Sequence, residues 1–210
     1  CTGNNNYHIT LKLYRNCSPC DTCAQYGNPE YLTIFDASGN VYAQPAMPLP
    51  PVTQLPATFS SSCPNNITDQ VCVEEADYTC DVNLPPAVGG YTIVYQRCCR
   101  TTGVNLVPEL GATYTANVPG TGQPTCNNSA RFNGLPPLYI CLDAPLRIDY
   151  SATDPDGDQL VYSLCDPYDG ASPNCPDPSP AAVGSGCSTV PTPPPYTATP
   201  YIAPYNAANF

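Results

Sequence analysis

The stretch YLTIFDASGNVYAQ, Tyr31 to Gln44, alternates apolar and polar side chains on either side of Ser38-Gly39-Asn40. Successive strand residues face opposite sides of a sheet, and glycine supplies the positive φ of a tight turn, so the pattern predicts a β-hairpin. The same period runs through YHITLKLYR (Tyr7 to Arg15). VCVEEADYTCDVNL, GGYTIVYQRCC and GATYTANV follow at similar spacing, separated by PPAVGG and TTGVNLVPEL. Short strands at this rhythm predict an all-β chain of sandwich type. Composition agrees: 28 Pro and 14 Gly leave little room for long helices, while 16 Tyr suit strands.

Two disulfide-stapled β-sandwich modules of immunoglobulin, PKD or cadherin type with long Pro-rich loops are expected, residues 1–126 and 127–210. The boundary falls in VPGTGQPTCNNSARFNGLPP, Val118 to Pro137. Ala43 to Asn66 is too rich in Pro and Ser for a core strand and reads as a surface excursion. In the second module LYICLDAPLRIDYSA and DQLVYSLC carry strand signals, and the chain then runs into a Pro-rich, extended tail. So few strands leave an open sheet edge. The tail from Pro194 to Phe210 is a segment that a second copy can accept as a strand, building a filament.

Seventeen acidic against six basic residues give a net charge of -11, a surface that repels a phosphate backbone and excludes nucleic acid as a partner. No run approaches the roughly 20 apolar residues of a membrane span. Fourteen cysteines beside one histidine point to an oxidising, extracellular or cell-surface location. Disulfide candidates are therefore Cys1, Cys17, Cys20, Cys23, Cys63, Cys72, Cys80, Cys98, Cys99, Cys126, Cys141, Cys165, Cys175 and Cys187. CSPCDTC (Cys17 to Cys23) has the spacing of a zinc or iron–sulfur loop but lacks a clean fourth ligand, which favours disulfides. Cys98 and Cys99, taken as strand neighbours on opposite faces, are each expected to pair elsewhere. Cys175 and Cys187 enclose a small Pro-rich loop suited to a local bridge. The polar start at Cys1 reads as the middle of a β-module, from which a leader was removed or which was excerpted from something longer, rather than as a lipidated terminus.

A catalytic triad would have to use His8, the sole histidine, which sits in an alternating strand. Carboxylate pairs drawn from Glu30, Glu74, Glu75 and Glu109 have no distinguishing context, and Glu74-Glu75 reads as one strand with a solvated face. No phosphate-binding glycine loop or nucleophile elbow is present. A non-enzymatic protein is expected.

SATDPDGDQLVYSL, Ser151 to Leu164, sets Asp154, Asp156 and Asp158 at alternate positions. Counted from Asp154, glycine comes too early and Cys165 stands where an EF-hand needs glutamate. The three aspartates suit either a bare turn, with carboxylates capping amides, or a weak calcium site of about 0.1 to 1 mM affinity.

ATDPDGDQLVYSL resembles the aspartate-rich hairpin of cadherin-like and PKD-like modules. YHITLKLYRNC, IFDASGNV, VCVEEADY, NLPPAVGGYTIVYQRCCR, ATYTANVP and LYICLDAPLRIDYSATDPDGDQLVYSLCDPY together resemble the large secreted surface proteins of Bacteroidetes, gliding-motility-associated or PKD-domain proteins exported by the type IX system. The resemblance spans residues 1 to about 170 and departs at APYNAANF, where such proteins continue into further strands. It implies a multidomain, adhesive or structural extracellular protein that self-associates or binds other surface proteins, with no catalytic residues to carry over. The alternative is a carbohydrate- or host-binding module using tyrosine rings, although no Trp is present.

Overall fold

The structure, a computed structural model, describes residues 4–17, 24–56, 72–100, 105–122, 127–138, 140 and 145–206. Among these the strands are, in chain order, β1 (Asn6–Asn16), β2 (Glu30–Tyr31), β3 (Thr33–Asp36), β4 (Val41–Ala43), β5 (Ala46–Met47), β6 (Thr53–Gln54), β7 (Val73–Asn83), β8 (Tyr91–Arg97), β9 (Ala112–Val118), β10 (Arg131–Phe132) and β11 (Ala152–Thr153). A single 3-10 turn occupies Pro180–Ala182. The chain is all-β, as its periodicity requires.

Two antiparallel sheets carry the fold. In the first, ordered β1-β7-β6, β1 and β7 pair over their full length, from Asn6 opposite Asn83 to Asn16 opposite Val73. Strict alternation makes this possible: Tyr7, Ile9, Leu11 and Leu13 turn inward while His8, Thr10, Lys12 and Tyr14 stay in solvent. The ladder is continued by the Cys17–Cys72 disulfide, whose cysteines also share a backbone hydrogen bond of 2.8 Å. The second sheet is ordered β4-β3-β8-β9. Its β3–β4 hairpin turns at the expected residues, with Gly39 at φ +79° and the Asp36 carboxylate accepting the amides of Ser38 and Asn40. Those bonds, that from Asn40 foremost, hold the Asp36 carboxyl below its usual range.

The sheets meet through Ile34, Tyr91, Ile93, Tyr95 and Val118 on one side and Ala76 and Tyr78 on the other, with Leu32, Met47 and Leu84 filling in. Met47 is fully buried in β5, pairing its neighbourhood to β2, so the Pro-rich excursion expected from Ala43 onward returns to the core before it leaves it. Prolines flank Ala46–Met47 without displacing it, because a two-residue strand needs few donors. The part of that excursion from residue 57 to 71 lies outside the described residues.

The central strands of the second sheet, β3 and β8, are buried on both faces. Phe35 and Val94, at 1% and 0% exposure, lie on the face turned away from the first sheet, together with Thr33, Gln96 and Thr113. The residues after 166 cover them. Gln96 exchanges two hydrogen bonds with the backbone of Thr192, at 3.0 and 3.3 Å, and Gln44 bonds both Thr33 Oγ1 and the Thr189 carbonyl at 3.0 Å. Burying Phe35 and Val94 contributes about 1.5–3 kcal/mol each, enough to hold an irregular layer against the sheet. The segment expected as a free extended tail is thus a third layer.

Among the described residues of 127–166 there is one two-residue ladder, β10 with β11. DQLVYSLC, expected as a strand, is unpaired: among the described residues, residues 159–166 make no backbone hydrogen bond, and Val161, Tyr162 and Leu164 are 89%, 59% and 70% exposed.

Candidate functional site

Three features are assembled from the residues singled out by sequence: the aspartate turn, the cysteines, and the seat of the C-terminal layer. The aspartates form a turn. Asp154 Oδ1 accepts the amides of Asp156 and Asp158 at 2.8 and 3.3 Å, and its carbonyl accepts the amide of Gly157, which stands at φ +81°. Asp156 turns away to Asn128, taking its amide and its side-chain nitrogen at 2.5 and 2.9 Å, and the backbone bond in particular holds its carboxyl low. Among the described residues no three His, Cys, Asp or Glu side chains are grouped to hold a metal ion. The geometry fits amide capping, with Asp156 tied to Asn128.

The cysteines divide. Cys175 and Cys187 close the loop inside the C-terminal layer with a disulfide. Cys98 and Cys99 require a correction: they are bonded to each other, with Cα atoms 3.0 Å apart. β8 ends at Arg97, so strand alternation no longer separates their side chains. Cys80 and Cys165 also depart from the full set of disulfide candidates, since both are free thiols. Cys80 sits opposite Ile9 in the ladder and packs against the core, where burial pushes its thiol up to about 11. Cys165 is exposed at the end of the unpaired segment. Cys1, Cys20, Cys23, Cys63, Cys126 and Cys141 lie outside the described residues.

The ionisable groups weighed for catalysis are distributed rather than gathered. His8 faces Asp81 across the ladder at 2.9 Å in solvent. Glu75 shares Lys12 with Asp77, Glu74 pairs with Arg15 at 2.7 Å, and Glu30 is buried at 2% exposure beside Arg97. Desolvation raises the Glu30 carboxyl, opposed by the Arg97 charge and the Gly27 amide. Arg97 also reaches Asp177 at 3.1 Å, tying the sheet core to the C-terminal layer.

That layer, here called the strap (residues 167–206), is seated along β9 and the start of its approach. The Thr113 amide donates to the Tyr168 carbonyl at 3.2 Å, and Arg100 Nη2 donates to the same oxygen at 2.7 Å. Tyr168 bridges Ala198 in turn, and Leu106 bridges Tyr201. Gly111 and Gly170 permit the contact. A Cβ on Gly111 would stand 2.1 Å from the Ala171 carbonyl oxygen, and one on Gly170 would stand 2.5 Å from Thr113 Oγ1. Beside β1 lies a cleft of about 1070 Å³, walled by Lys12, Tyr14 and Asn117 on one side and Arg131, Phe132 and Tyr150 on the other. Sequence reasoning missed the strap. Its one signal was Phe35 and Val94, apolar residues on a face that Thr33, Thr92 and Gln96 otherwise make polar.

The chain matches no family model, no curated protein and no solved structure.

Proposed function

We propose that the chain is a non-enzymatic structural subunit of an extracellular or cell-surface assembly, of the kind its sequence resembles, built to associate with further copies of itself. The observation that carries this is the apolar run left in solvent between β11 and the strap. Val161, Tyr162 and Leu164 stand exposed on a backbone that makes no hydrogen bond among the described residues. Exposed apolar segments are where chains add to one another. Three disulfides among the described residues suit an oxidising location.

A second reading draws on the cleft. Phe132 and Tyr150, 68% and 58% exposed with ring centroids 6.4 Å apart, offer aromatic surface beside Asn117 and Arg131, as a glycan-binding module does. Glycan-array binding together with electron microscopy of the same preparation separates the two. Filaments or oligomers without glycan signal support the structural subunit; saturable glycan binding by a monomer overturns it.

A further inference from the structure

We propose that the strap is an exchangeable element: in the assembly, residues 167–206 of one copy lie on the second sheet of another. This rests on the self-association reading and names the surface that performs it. The face formed by Thr33, Phe35, Val94 and Gln96 is buried under the strap, and bare it would present apolar surface to water. It is always covered, but nothing in the described chain dictates by which copy. The disulfide in the strap, Cys175–Cys187, is internal to it, and none among the described residues ties it to the sheets. Among the described residues the strap is held by apolar burial, hydrogen bonds and the Arg97–Asp177 ion pair, all of which a second copy's strap reproduces atom for atom.

The connection to the strap has the character of a hinge. Among the described residues, residues 159–166 make no backbone hydrogen bond, so opening them sacrifices no ladder. Eight extended residues reach about 26–29 Å, enough to carry the strap to a neighbour. In the closed form Val161, Tyr162 and Leu164 are exposed; in the exchanged form two connections run side by side and cover these residues against each other. Exchange of an identical element retains every closed-form contact and adds that one. The occupant of the sheet face is therefore a second copy of this chain, delivered by its own strap.

Complementation of full-length chains tests this. Gly111→Val removes the acceptor seat by clashing with Ala171, while its own strap stays intact. Gly170→Val spoils the strap by clashing with Thr113, while its acceptor face stays intact. Each variant alone should be monomeric by light scattering, and their equimolar mixture should give a 1:1 heterodimer joined by one intact strap. If the mixture remains the sum of its parts while the unmodified chain assembles, exchange is overturned and self-association survives through another surface. If the unmodified chain never assembles, the subunit reading fails with it. Should a valine variant not fold, Thr113→Cys and Tyr168→Cys in one chain, with Cys165→Ser, serve instead. These bridge partners lie within disulfide reach, so exchange yields covalent multimers on a non-reducing gel, and purely intrachain bridging of assembled material overturns it.

Discussion

Cys80 and Cys165 show how position decides the chemistry of one residue type. Thiolate is the reactive form, and burial pushes the Cys80 thiol to about 11, whereas Cys165 faces solvent. Iodoacetamide on the native chain should label Cys165 and leave Cys80 until denaturant is added; equal labelling of both would show that the β7 ladder opens readily. Glu30 gives a pH signature. Its raised folded pKa means the folded state holds that proton more tightly, so its contribution is fully present below the unfolded value of about 4.3 and is lost as pH rises through the folded value. Denaturant melts across this window should show the unmodified chain losing stability relative to Glu30→Gln as pH rises, and parallel curves would contradict the burial. At the aspartate turn, amide capping predicts that millimolar calcium and its chelation leave the melting temperature unchanged. A calcium-dependent rise abolished by Asp158→Asn would show the three carboxylates converging on a cation.

At the scale of elements, the longest ladder is stapled at one end. Cys17–Cys72 closes a separation of 55 residues, and the chain-entropy relation assigns such a loop about 4 kcal/mol of stabilisation. Replacing both cysteines with serine should lower unfolding free energy by roughly that amount, and a loss under about 1 kcal/mol would mean that the β1–β7 pairing constrains the unfolded chain little. β1, β3, β4, β7, β8 and β9 were legible from their alternation and from the turn residues between them, and the β3–β4 turn was legible from Ser38-Gly39-Asn40. Met47 was hidden because its core contact comes from a two-residue strand among prolines. Cys98–Cys99 was misread by extending strand geometry past Arg97. The strap was illegible for a physical reason: it is held through Gln44, Gln96, Thr113 and Arg100 to backbone carbonyls and amides, and such bonds leave no periodicity in the segment that supplies them. The covered side did carry a trace, since Phe35 and Val94 interrupt its otherwise polar set of Thr33, Thr92 and Gln96.

Among the described residues, sheet, sheet and strap form successive layers, and residues 161–164 carry three exposed apolar side chains, Val161, Tyr162 and Leu164, in one short run. A net charge of -11 opposes the meeting of two copies, so association should strengthen as salt is raised toward physiological ionic strength, where the screening length falls to about 8 Å. Sedimentation velocity of the oxidised, full-length chain over a rising concentration series at that ionic strength bears most directly on its being a self-associating structural subunit. Expected is a concentration-dependent progression of species heavier than the 22.3 kDa chain, reduced when Val161 and Leu164 are replaced by serine; a single boundary at monomer mass throughout the series would contradict it.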